Sequence, residues 1–185
     1  FNPPETRTYR GAAKQAPQEE YLLVDGYNII YAWEELNVLA KDNMEGARGR
    51  LMDLLCNYQA VKKCSLIVVF DAYRVKGHAT EILDYHNIHV VYTKEAETAD
   101  QYIEKFAHEN ARRHDVSVAT SDGLEQVIIR GQGCRLVSAR ELWEDLERVK
   151  VMLREEYLDK PQLKRNSLID MLSEEAAKEL GRLKE

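Results

Sequence analysis

Four aspartates stand where chemistry could be done. The stretch Tyr21-Leu22-Leu23-Val24-Asp25-Gly26-Tyr27-Asn28 runs an apolar segment straight into a carboxylate. Ser65-Leu66-Ile67-Val68-Val69-Phe70-Asp71 repeats the pattern. Asp100 follows Thr98-Ala99, and Asp122 follows Ala119-Thr120-Ser121. A desolvated carboxylate needs a cation or several hydrogen-bond donors. Four crowded together would repel one another, and their pKa values would rise unless a cation joined them. Oxygen ligands with no His or Cys among them select Mg²⁺ or Mn²⁺. Such a site can activate water and stabilise charge on a phosphate during hydrolysis.

Each aspartate also has a plainer reading. Asp100 and Asp122 suit the first turns of helices, and Asp71 suits a loop cap. Asp25 is the hardest to explain that way, because a glycine and a polar turn follow it. Asn28 is a candidate for orienting a ligand or phosphate, although asparagine near glycine is also a turn signal. Glu97 is a candidate fifth acid, and Gln126 lies one helical turn past Asp122. Arg74, Lys76 and His78 follow the second apolar segment, and Arg130 and Arg135 flank a glycine turn. These are candidate phosphate contacts or simply solvated side chains. Tyr27 and Tyr31 could stack on bases, core packing being the commoner fate. The five histidines show no i, i+4 metal spacing, and no Walker loop, GxGxxG or GxSxG occurs.

The elements that would position these groups follow from pattern. Residues 21–25 and 65–70 read as strands, the second continuously apolar as in a strand covered on both faces. Asn28 to Leu39 reads as one short helix with Ile29 and Ile30 inward. Met44 to Val61 places Leu51, Leu54, Leu55 and Tyr58 at helical spacing. A polar loop is expected over 72–80 and a third strand over Ile88–Tyr92. Thr98 with Gln101 makes a capping box for a helix with Ala99, Ile103, Phe106, Ala107 and Asn110 on one face. A fourth strand, Val116–Thr120, leads to a helix stopped near Arg130 by Gly131 and Gly133. A fifth, Arg135–Val137, leads through a second capping box at Ser138 and Glu141 to a helix reaching about Glu156. Strand and helix alternate five times, which predicts a mostly parallel sheet with helices on both faces. In such sheets, sites form at the carboxyl ends of the strands, so all four aspartates should face one rim.

The expected organisation is an extended arm or linker over residues 1–20, a domain over 21–156 and a helical tail over 157–185. Of the 185 residues, 44% are hydrophobic and 31% charged, the profile of an ordinary soluble chain. No apolar run approaches membrane-spanning length and no signal peptide is visible. Three cysteines without metal or redox spacing read as free thiols of a cytoplasmic protein. The net charge of −6 resides in residues 21–149, which carry fifteen basic against 21 acidic groups. Proteins that grip long nucleic acid unaided are usually basic. This chain either does not bind nucleic acid, uses a local basic patch, or has its substrate presented by a partner.

The motifs Leu-Leu-Val-Asp25-Gly-Tyr-Asn28, Val-Val-Phe-Asp71-Ala, Glu97-Thr-Ala-Asp100 and Ala-Thr-Ser-Asp122 resemble, in order, the signature of the YacP-like NYN domains, which belong to the PIN-like nucleases. The resemblance covers about residues 21–150 and extends to the tail. It implies a three-layer PIN-like fold and a metal-dependent endoribonuclease. Asp25, Asp100 and Asp122 fall at the family's metal-binding positions, and Asp71 and Asn28 at supporting ones. A bacterial member of this branch cleaves mRNA in the ribosomal A site, which implies RNA, mRNA and the ribosome as partners. The arm before residue 21 departs from the stand-alone pattern. Some such domains follow a translational GTPase, and residues 1–20 would then be the linker. The alternative is a non-catalytic RNA- or ribosome-binding module of the same fold. A phosphatase of the haloacid dehalogenase type would need a second aspartate two residues after Asp25, where Tyr27 stands.

Overall fold

The computed structural model describes residues 18–71, 80–94 and 96–159. Most of the expected arm, the loop carrying Arg74, Lys76 and His78, and the tail with its break at Lys160-Pro161 lie outside the described residues. Compactness divides the chain into two units, Phe1–Trp143 and Glu144–Glu185.

The first unit is built on a six-stranded sheet in the order β3-β4-β2-β1-β5-β6. Its strands are β1 (Glu20–Asp25), β2 (Ser65–Phe70), β3 (Glu81–Tyr85), β4 (Ile88–Tyr92), β5 (Asp115–Ala119) and β6 (Arg135–Val137). All neighbours pair in parallel except β3, which runs antiparallel to β4. β1 lies centrally, with Leu23 opposite Ile67 on one side and Val118 on the other. The helices are α1 (Gly26–Ala32), α2 (Glu34–Asp42), α3 (Met44–Lys62), α4 (Ala99–Asn110), α5 (Gly123–Gly131) and α6 (Ala139–Asp159). The division between the two units falls within α6.

Side chains alternate across a strand, and this sets which helix each residue meets. Leu23, Ile67, Val69, Val91, Val116 and Val118 share one face with Ala99, Ile103 and Ala107 of α4 and Ile129 of α5. The other set, including Leu22, Val24, Leu66 and Val68, is equally buried and faces α1 and α3, whose Ile29, Leu51 and Leu55 are fully enclosed. By the same parity, Asp25 and Asp71 point to the α4 face.

Three expectations need correction. β3 was not anticipated: Glu81 to Asp84 are all exposed, so no buried stripe marks the segment, and β4 recruits it through a turn with His86 at positive φ. The single helix expected over 28–39 is two. At Trp33 the backbone is extended, and the indole is pinned by a 2.8 Å bond from its Nε1 to the Ala139 carbonyl and by the Trp143 ring at 5.1 Å. Burying that indole interrupts the helix. The expected strand 116–120 is shifted by one residue, to Asp115–Ala119.

Gly26 follows Asp25 because the chain turns into α1 directly against Phe70. A Cβ at this position would lie within 3.0 Å of three Phe70 ring carbons, and that ring is fully buried between Tyr27 and Tyr92. Gly26→Ala should destabilise the protein by about 1–3 kcal/mol, the usual range for overpacking. Chemical denaturation would measure the loss, and an unchanged midpoint would contradict this packing.

Candidate metal centre

The carboxyl ends of β1 and β5 lie at the point where strand order reverses, the place where open α/β sheets form sites. From β1 the chain builds β2, β4 and β3 to one side, then returns through α4 to place β5 on the other. Asp25 ends β1, Asp100 sits in the first turn of the returning α4, and Glu125 lies in the first turn of α5, just after β5. These three carboxylates each offer an oxygen, and the three oxygens lie within 4.8 Å of one another.

The local chemistry of each is specific. Asp25 caps α1: its Oδ1 accepts the Asn28 backbone N–H at 3.2 Å. Burial and the charge of Glu125 nonetheless push its carboxyl up to about 8, with Asp100 adding to the rise. Asp100 is carried by the Thr98–Gln101 capping box, in which both reciprocal bonds form. Glu125 is 2% exposed, and neither of its carboxylate oxygens has a hydrogen-bond partner. Burial raises its pKa to about 7, and the charges of Asp100, Asp122 and Glu104 raise it further. The nearby Thr120 hydroxyl opposes this rise.

An unpartnered buried carboxylate beside two others is costly unless a cation neutralises them. A metal ion held by Asp25, Asp100 and Glu125 fits the donors present: oxygen ligands, mutual spacing of one coordination sphere, and two oxygens on Glu125 that nothing else satisfies.

The other anticipated residues are distributed around this trio. The Asp71 carboxylate accepts the Ala99 N–H at the start of α4, and burial together with Asp100 raises its pKa. Asp122 lies outside the 4.8 Å group; its Oδ1 caps α5 by accepting the Leu124 N–H at 2.8 Å. Asn28 joins the two sides of the centre, since its Oδ1 accepts both the Ser121 N–H at 2.8 Å and the Ser121 hydroxyl. Gln126 donates to the Thr120 carbonyl at 3.2 Å. Glu97 accepts from Thr80 Oγ1 at 3.3 Å and is not grouped with the trio. Arg130 is exposed in the last turn of α5, the end remote from Glu125. Tyr27 packs edge-on against Phe70 and accepts a 2.9 Å bond from Arg48, whereas Tyr31 is exposed. Cys56, Cys64 and Cys134 are free thiols. Among the described residues no helix is long and apolar enough to cross a membrane.

Glu125 was missed in the sequence because Leu124, Val127 and Ile128 form the more conspicuous apolar stripe. The signal available was its position four residues before Ile129, on the face that packs inward.

The raised carboxyls predict a pH signature. Their ordinary values are 3.8 for Asp25 and 4.5 for Glu125, so between about pH 4 and pH 8 the fold retains protons that the unfolded chain has released. Metal-free stability is therefore fully present below that window and lost as pH rises through it. Asp25→Asn removes one charge from the cluster. In EDTA the variant should melt above the wild type at pH 8 and level with it below pH 5. Mn²⁺ should raise the melting temperature of the wild type only. A variant that melts lower at pH 8 would contradict the repulsion.

Comparison with known proteins adds the lineage. A curated relative, the uncharacterised protein YacP of Bacillus subtilis, is 44% identical over 131 residues, covering 70% of this chain and 76% of the relative. A crystal structure of Rae1 (YacP) from Bacillus subtilis superposes with a TM-score of 0.66 at 39% identity, covering 89% of this chain and 94% of that one. A tryptophan-to-leucine mutant of the same protein gives 0.66 at 37%, covering 80% and 90%. The profile of the YacP-like NYN domain matches residues 22–185. The chain belongs to the YacP-like NYN domain family.

Proposed function

We propose that the protein is a cytoplasmic, Mg²⁺- or Mn²⁺-dependent endoribonuclease that hydrolyses RNA phosphodiester bonds, with mRNA presented by the ribosome as its substrate. The observation that carries this reading is Glu125, a buried carboxylate with both oxygens unpartnered, facing Asp25 and Asp100 at the switch point of a nuclease-family sheet. The all-oxygen donor set favours a hard cation. Presentation by the ribosome agrees with the acidic balance of the domain, which lacks the overall charge to gather RNA unaided.

Asp25, Asp100 and Glu125 would hold the cation, which supplies Lewis-acid polarisation of the phosphate and a lowered pKa for water. The remaining groups set geometry and move protons. The Asn28 N–H fixes one oxygen of Asp25, and the Asn28 side chain locks the Ser121 turn against α1. This keeps the β1 and β5 ends in register. Asp71, anchored on the Ala99 N–H, has a raised proton affinity from burial and Asp100. That suits it to accept the proton from the attacking water. Asp122 caps α5 and adds negative charge beside Glu125.

Asp100→Asn and Glu125→Gln should each reduce cleavage of single-stranded RNA in Mn²⁺ by on the order of 1000-fold, since several kcal/mol of charge stabilisation are lost. Circular dichroism should show the fold retained. Asp122→Asn should cost less, because its carboxylate is a cap. Full activity in Asp100→Asn would overturn the assignment. Absence of both cleavage and Mn²⁺ binding in the wild type would favour the binding-module alternative.

A further inference from the structure

A second group of polar side chains stands at the same rim, on the opposite face of the sheet. Val69 and Val91 face α4, so their neighbours Phe70 and Tyr92 point to the other side, where their rings stack at 5.7 Å. Tyr27, in the first turn of α1, lies edge-on against Phe70 at 5.2 Å. α3 ends at Lys62, shortly before β2 begins at Ser65. Its start therefore lies back at the carboxyl rim, and Arg48, in its second turn, reaches Tyr27. Arg48, Tyr27 and Tyr92 are each half-buried.

The three side chains form a set of donors. Arg48 Nη1 donates to the Tyr27 hydroxyl at 2.9 Å. A hydroxyl that accepts through its oxygen keeps its own proton to give. Among the described residues this is the one hydrogen bond Arg48 makes, and it forms no ion pair. Most of its fork of N–H donors is therefore left for a ligand. The Tyr92 hydroxyl has no hydrogen-bond partner among the described residues, and burial pushes its pKa up, which keeps it a donor. Arg48 is the strongest charge acting on that hydroxyl, and Glu45 and Glu81, both exposed, act on it more weakly. Those two acids oppose a doubly charged terminal phosphate more than the single charge of an internal phosphodiester. A guanidinium flanked by neutral hydroxyls suits phosphate oxygens.

We propose that Arg48, with the Tyr27 and Tyr92 hydroxyls, binds an internal phosphodiester of the RNA beside the one that is cut. The strand thus crosses the rim from one face of the sheet to the other, with the cut linkage at the carboxylates and its neighbour at Arg48. Tyr27 joins the two places: it follows Asp25 by two residues and precedes Asn28, whose N–H is bonded to Asp25. The inference rests on the endoribonuclease reading above and deepens it by giving a domain that is acidic overall a local cationic contact with its substrate.

Two measurements on the full chain test this. In EDTA, binding of a fluorescently labelled oligoribonucleotide of about ten nucleotides is followed by anisotropy from low to moderate salt. Arg48→Gln should weaken binding about 10-fold, the scale of a hydrogen bond to a charged group. It should also lower the salt slope by about 0.7, the value for one phosphate contact on a single strand. Arg48→Lys keeps the charge and should restore the slope but not the full affinity. Tyr92→Phe keeps the ring stack and should weaken binding with the slope unchanged. In Mn²⁺, cleavage of a short RNA with one cut is compared with versions bearing a neutral methylphosphonate at each linkage in turn. One linkage beside the cut should cost the wild type about 10-fold in kcat/KM and cost Arg48→Gln nothing more. Stabilisation by Mn²⁺ should be unchanged in all three variants, whose carboxylates are untouched. Equal losses in the wild type and Arg48→Gln at every linkage, or an unaltered salt slope in Arg48→Gln, would overturn the inference. If the wild type cleaves nothing, the nuclease reading fails and the metal-free titration alone decides: a lower slope in Arg48→Gln keeps the phosphate contact, and an unchanged slope or no binding at all removes it.

Discussion

Bringing the ionisable groups of Asp25, Asp100 and Glu125 within 4.8 Å of one another costs free energy even in water, and more where burial strips their hydration. No side chain chooses this alone; the backbone imposes it. Strand parity aims Asp25 at the α4 face, where Leu23 and Val69 already commit β1 and β2 to the core. A capping box fixes where α4 begins, and so where Asp100 stands. Ile129, fully buried one turn further along, turns Glu125 inward. The large apolar faces on either side of the sheet supply the free energy that holds the acids together.

The neighbouring donors are used sparingly. Each of Asp25, Asp71 and Asp122 receives a backbone N–H at the start of a helix, while Glu125 receives none. Helix starts thus stabilise three carboxylates through local dipoles and leave one with its charge unanswered. Burial and mutual charge still raise the proton affinity of Asp25 and Asp71, but only Glu125 lacks any hydrogen-bond donor among the four. Such a concession is typical where a fold reserves coordination capacity for a ligand.

Much of this could be read from residue order. Asp25 and Asp71 announce themselves because unbroken apolar segments end on them, and Asp100 because a capping box precedes it. What escaped had physical reasons. β3 is exposed along its length and forms only because β4 offers an edge. The α1–α2 break depends on Trp33 finding Ala139 and Trp143, more than a hundred residues away. Glu125 was hidden because Leu124 and Val127 of α5 face outward, 73% and 69% exposed, reversing the usual sense of an amphipathic helix. Local pattern fixes element type well, but it does not say which face of a short helix the tertiary structure will take.

The central place of β1 carries a consequence for synthesis. Glu20 pairs with Asp115 and Val24 with Ala119, so β1, the first strand among the described residues, stays open along one edge until some ninety further residues have been translated. Asp25 is among the earliest of the described residues and Glu125 among the later ones. Domains fold as their chain emerges, and pairing between distant segments waits for closure of the intervening loop. A chain made only as far as β4 therefore has no assembled acidic centre, because Asp100 and Glu125 are still to come.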